Sequence, residues 1–258
     1  MDTEKVHKPL GHGYEEIREV LRKILSIEEL RGKLIISGGI VPWIVSNTDS
    51  GRLHSDIDII CKQEDMGIVR DKLKEFGVYN ELMDSMYYHH EDGLDYGVDT
   101  NISGVPVGFY PYEVKTVKKI DNNGKFVDTD MIVQRSFTPP FVEGKLSGNR
   151  EDKPELKVKD MPCLLESDYY SEASIDGIPF KHTSLELIKA TKQRAMGAAD
   201  SDWRSEKDER DIKQIDTIGT DPKKQARIDT AMTLMRSSLD KKPIKTKNLD
   251  NKYVEIGE

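Results

Sequence analysis

Two hydrophobic periods succeed one another along the chain. In YEEIREVLRKILSIEEL, from Tyr14 to Leu30, the residues Ile17, Leu21, Ile24 and Leu25 recur at three- and four-residue spacing with charges between them, which predicts an amphipathic helix. KLIIS then reads as a short buried strand ended by Gly38-Gly39. IVPWIVSN reads as a helix, because Pro42 falls in its first turn, where the missing N–H forfeits no bond. SDIDIICK is the next strand, and EDMGIVRDKLKEFG sets Met66, Val69, Leu73 and Phe76 at helical spacing before Gly77 closes it.

Further on, YGVDTNIS and VPVGFYPYEV alternate as half-buried strands do, and VKKIDNNGKFVDT carries an Asn-Asn-Gly turn between strand-like arms. Pro, Gly and charge crowd the stretch from Phe137 to Tyr170, marking a long connection, and EASIDGIPFKHTS predicts another short strand pair. From Ser184 onward helical patterns dominate. The expected fold class is α/β (α+β): a small mixed β-sheet core with flanking helices over residues 1–140, a connection with short strands over 141–182, and a helical C-terminal region over 183–258.

Composition narrows the classes. With 36% hydrophobic and 33% charged residues over 258 positions, the chain is of a globular and not a disordered type. No apolar run reaches spanning length and the first residues lack a secretory core, so a cytoplasmic location is expected. Cys61 and Cys163 follow no metal-site spacing and read as reduced thiols. The formal charge of -8 tells against non-specific nucleic-acid binding while leaving room for a local basic site. The densest basic run, KKPIKTKNLDNK, reads as a solvated tail.

Candidate chemistry concentrates in IISGGIVPWIVSNTDSGRLHSDIDII. Residues two apart on a strand share a face, so Asp56 and Asp58 project together, a repulsive placement unless a hard cation such as Mg²⁺ lies between them. The bland alternative is a solvated strand end. Gly38 and Gly39, at a helix entry, would let phosphates approach free backbone N–H groups. His89-His90 beside Glu91-Asp92 invites a transition-metal reading, but neighbouring histidines on a strand point to opposite sides and a loop reading is preferred. Trp43 reads as a core or rim aromatic.

SGGIVPWIVSNTDSGRLHSDIDII resembles the signature of the DNA polymerase β-like nucleotidyltransferases, and GRLHSDIDI is similar to the approach seen in antibiotic and toxin-type minimal members. A distant stretch, TSLELIKATKQRAMGAADSDWRSEKDERDI, resembles the C-terminal helical signature of those minimal members. The resemblance implies a nucleotidyltransferase core that moves a nucleoside monophosphate from an NTP such as ATP to a small molecule, tRNA or protein, with Mg²⁺ or Mn²⁺ as cofactor. It implies Asp56 and Asp58 as catalytic metal ligands, and Ser37, Gly38, Gly39, Arg52, His54, Lys192, Arg204 and Lys207 around the nucleotide. Asp208 and Asp211 fit either catalysis or helix docking, and Lys207 with Asp211 also suits an intrahelical pair. A third carboxylate is expected from a neighbouring strand: Asp99, with Asp95 and then Glu113 as alternatives, because Gly108 stands where an acid would be expected. An antitoxin partner is compatible with the toxin-type likeness. A nucleotide- or partner-binding module without catalysis is the competing reading.

Overall fold

A computed structural model of the chain describes residues 11–90, 93–136, 141–142, 145–146, 159–196, 202–240, 244–247 and 253–256. Helix α1 (Tyr14–Leu25) buries Ile17, Leu21 and Ile24, and its acidic first turn and basic last turn both suit the helix dipole. After β1 (Leu34–Ser37), a 3₁₀ turn at Gly38–Ile40 leads into α2 (Val41–Ser46), with Pro42 in the first turn and Asn47 in the left-handed region at its end. Then come β2 (Ile57–Lys62) and α3 (Met66–Glu75). Strands β3 (Asp84–His90), β4 (Gly93–Ile102) and β5 (Val105–Tyr112) complete the N-terminal run.

The hairpin β6 (Val114–Ile120) and β7 (Phe126–Ser136) turns at Asp121, whose carboxylate accepts the Asn123 and Lys125 amides. The two-residue strands β8 (Phe141–Val142) and β9 (Lys145–Leu146) pair with each other. Strand β10 (Lys159–Leu165) runs into the short α4 (Glu166–Tyr169), followed by the hairpin β11 (Tyr170–Ile175) and β12 (Ile178–Thr183). Helices α5 (Leu185–Met196), α6 (Asp202–Ile218) and α7 (Pro222–Asp240) follow, and β13 (Ile244–Lys247) pairs with β14 (Tyr253–Ile256).

The central sheet is mixed and seven-stranded, in the order β11-β12-β1-β2-β5-β4-β3, and a second sheet has the order β10-β7-β6. Strand β12 lies parallel beside β1, so residues expected in a connection supply two strands of the sheet that carries the glycine turn. One face of β2 buries Ile57, Ile59 and Cys61 against Val98, Val107, Phe109 and α1, at about 1.5–3 kcal/mol for each large side chain. Its other face carries Asp58. A smaller cluster of Ile132, Leu164, Ala190 and Ile228 ties the second sheet to α5 and α7. No described helix is long and apolar enough to cross a membrane. Cys61 is fully buried, with its thiol pushed up to about 12 by burial. Glu91, Asp92, most of the connection at 137–158 and much of the basic tail lie outside the described residues, as do the side chains of His89, His90, Asp95, Cys163 and Arg204.

Candidate active site

Strand register builds the site. Ser37 of β1 pairs with Asp58 of β2, Asp58 with Gly108 of β5, and Gly108 with Asp99 of β4, so the four form one row across the sheet. Adjacent strands lie about 4.8 Å apart, which sets the backbones of Asp58 and Asp99 about 10 Å from one another across the glycine. Ser37 accepts a hydrogen bond from the Thr183 hydroxyl at 2.9 Å, linking the row to β12. Asp56 stands exposed just before β2 and accepts from the Ser55 hydroxyl at 2.9 Å.

The two glycines of the turn have different reasons to be glycine. Gly38 has φ +77, and a Cβ there would lie 2.5 Å from Asp58 Oδ2. Gly39 has no such backbone demand, but a Cβ would come within 3.0 Å of both Arg52 Nη2 and Asp211 Oδ2. Helix α6 therefore approaches the turn at Gly39, where a side chain would block it. Lys207 joins that approach, with its Cε 3.6 Å from the same point.

Charge around the row is unbalanced. Burial, then the Asp56 carboxylate, pushes Asp58 up to about 6; Lys207 opposes the shift and Asp99 adds to it. Lys207 is half-buried and forms no hydrogen bond or ion pair with another described residue. Its neighbours on α5 and α6 are fully engaged. Lys192 Nζ lies 2.7 Å from Asp208 and 2.8 Å from Asp211. Asp211, with no exposed surface, also accepts from Trp43 Nε1 at 2.8 Å and from Arg52 Nη2 at 3.0 and 3.1 Å, while Arg52 Nη2 reaches the Gly39 carbonyl at 3.3 Å. One carboxylate thus ties α2, α5, α6 and the 50–55 loop to the glycine turn.

The other sequence candidates separate by position. His54 is buried, bonds Ser50 Oγ at 2.9 Å and exchanges backbone hydrogen bonds with His12. Burial, aided by Arg52, takes its imidazole down to about 4, so at neutral pH it is uncharged. Asp95 lies four residues along β4 from the row, about 13 Å, and Glu113 follows β5 five residues past Gly108, about 17 Å. Asp99 alone of the three candidates sits in the row. Two participants were not legible as such: Trp43, whose indole N–H holds Asp211, and Tyr110, whose hydroxyl donates to Asp99 Oδ1 at 3.1 Å. The Tyr110 phenol fills the space above Gly108, where any Cβ would collide with it. Burial, then Asp99 and Asp58, raise its phenol above the ordinary value. A tyrosine two residues from a glycine on one strand face is the signal that marks such a fill.

No family model matches the chain, and no curated protein matches it. Among solved structures, the solution structure of the antibiotic-resistance factor ANT(2'')-Ia matches with 15% identity and TM-score 0.49, over 88% of this chain and 96% of that one. The lincomycin-bound lincosamide antibiotic adenylyltransferase LnuA matches with 17% identity and TM-score 0.43, over 78% and 97%. An antigenic nucleotidyltransferase-like protein from Paracoccidioides brasiliensis matches with 12% identity and TM-score 0.44, over 89% and 91%. At such identities and scores no residue role passes from them to this chain, and function rests on the side chains described above.

Proposed function

We propose that the chain is a Mg²⁺- or Mn²⁺-dependent nucleotidyltransferase that moves a nucleoside monophosphate from an NTP to an acceptor hydroxyl and releases pyrophosphate. The observation that carries this reading is Asp58: a half-buried carboxylate, in repulsion with Asp56, set against Gly38 and faced by Lys207, which pairs with no described residue. The donor set is all carboxylate oxygen, which suits a hard divalent cation. Among the described residues no three His, Cys, Asp or Glu side chains make a ready metal cluster. That is compatible with Mg²⁺, which commonly takes one or two carboxylates and completes its shell with water and substrate phosphates.

Asp56 and Asp58 would hold the cation, which when bound supplies charge neutralisation at the phosphates. Lys207 would face the phosphates as a charge-assisted donor, and the backbone N–H groups of the Gly38-Gly39 turn, which bears no side chain of its own although Asp58, Arg52 and Asp211 pack against it, would be further donors to them. Asp99 would take the proton of the attacking hydroxyl or help to hold a second cation. Ser37, Arg52, His54 and Lys192 fit a positioning part: they bond, in turn, Thr183, Asp211 with the Gly39 carbonyl, Ser50, and Asp208 with Asp211. Arg204 keeps the phosphate-side part that the sequence resemblance implies. A small molecule, a tRNA end and a protein partner each present a hydroxyl of the required kind. An antitoxin remains a proposed partner on the toxin-type likeness alone.

Incubation with α-labelled NTP, Mg²⁺ and a cell extract should give labelled product, and the Asp56→Asn/Asp58→Asn double variant should give none while remaining folded. Undiminished transfer by that variant overturns the proposal. A second reading, nucleotide binding without transfer, is favoured by Gly108, which leaves the third carboxylate one strand further from Asp58 than an acid at position 108 would be. It predicts an NTP-induced rise in melting temperature with no labelled product.

A further inference from the structure

Position 108 is the gap in the row, and what stands in the gap is a hydroxyl. The Tyr110 phenol folds back over Gly108, occupying the volume a side chain there would take, and donates to Asp99 Oδ1 at 3.1 Å. Gly108 is in register with Asp58 on one side and Asp99 on the other, so this hydroxyl lies along the line between the two carboxylates. An acceptor hydroxyl entering to use Asp99 as its base must occupy that same space. Tyr110 is half-buried and anchored within β5, so its ring is held there without a loop to swing it away.

From this geometry we infer that Tyr110 is itself an acceptor: the chain nucleotidylates its own Tyr110, an inference that rests on the nucleotidyltransferase reading. A bond forms between Tyr110 Oη and the α-phosphorus of an NTP, and the bond from that phosphorus to the oxygen bridging to the β-phosphate breaks. Pyrophosphate leaves with the electron pair, and the phenolic proton passes to Asp99 Oδ1. The product is a nucleoside monophosphate in phosphodiester linkage to Tyr110, standing in the acceptor position. A modified chain is thereby closed to any other acceptor.

The test incubates the full-length protein with each NTP and Mg²⁺ or Mn²⁺, without added acceptor, and follows it by intact mass and peptide mapping. The expected result is a mass gain of at most one nucleoside monophosphate per chain, located at Tyr110, with a first-order rate independent of protein concentration. The Tyr110→Phe chain should acquire no label, and the Asp58→Asn chain should remain unlabelled even when mixed with wild type, since each site serves its own tyrosine. Mapping on the wild-type chain stands whether or not either variant folds. Label on another residue overturns the inference. So does an unmodified Tyr110 in a protein that still gains melting temperature with NTP and passes label to an added extract, and in that case the nucleotidyltransferase reading survives. Absence of both NTP stabilisation and transfer overturns the two together.

Discussion

Replacing Asp58 by Asn should make the metal-free protein more stable, although it removes a proposed catalytic ligand. The carboxyl titrates at about 6 in the folded chain, raised by burial and by Asp56, against roughly 4 for an aspartate in an unfolded chain. That difference makes the ionised form cost about 3 kcal/mol at pH 7. The folded state binds the proton more tightly than the unfolded state, so this residue's contribution to stability falls as pH rises from about 4 to about 6 and is level above that. The substituted amide cannot titrate and is isosteric with the carboxyl, so the variant should gain about 1–3 kcal/mol at pH 7 and about a third of that at pH 4.5. For a chain of this length that amounts to a melting shift of about 3–10 °C. Urea denaturation of both proteins in chelator, from pH 4.5 to 7.5, measures the gap, and titrating groups remote from Asp58 cancel in the difference. With excess Mg²⁺ or Mn²⁺ the order should narrow or invert, because only the wild type gains from binding. A gap that is absent or negative at pH 7, or that does not close toward pH 4.5, would refute the reasoning.

Three further outcomes are expected. Asp211→Asn should lower stability by about 3 kcal/mol in urea denaturation, because Arg52 and Lys192, each 12% exposed at the side chain, lose their shared buried counter-charge. Lys207→Met should weaken NTP binding by about tenfold in equilibrium titration, the loss of one charge-assisted phosphate contact. It should also move the pH window of Asp58 upward, since Lys207 holds that carboxyl down. Gly38→Ala should cost at least about 1–2 kcal/mol, because φ +77 is the left-handed region and the added methyl meets Asp58. Metal-induced thermal stabilisation should vanish with it.

Local patterns carried most of the fold. The strand, glycine turn and helix from Leu34 to Ser46 follow from an apolar run, two glycines and a tolerated Pro42, all set within a few residues. The face shared by Ile57, Ile59 and Cys61 follows from period two alone. What stayed illegible is pairing at long range. Nothing in IPFKHT says that it lies parallel to LIIS, 140-odd positions earlier, because parallel register is set by packing and not by neighbouring residues. The cations of the C-terminal helices were ambiguous for the same reason. Lys192 and Lys207 are equivalent as charges on helices, and only the approach of Asp208 and Asp211 gives the first two carboxylate partners and leaves the second facing Gly39. Asp99 was already preferred to Asp95 in the sequence, but its register with Gly108 was not legible there.

The parallel pairing of β12 with β1 has a consequence for how the protein is made. The strand that ends in the glycine turn emerges early from the ribosome, but its sheet neighbour is about 145 residues behind it and the helix bearing Lys207 is later still. At about 5–20 residues per second, β1 waits roughly 10–30 s with that edge uncovered. A nascent chain stalled before residue 183 therefore exposes an unpaired strand edge and holds no assembled phosphate site. Truncation at residue 140, the end of the local strand and helix pattern, should yield an aggregating fragment and not an independent nucleotide-binding core.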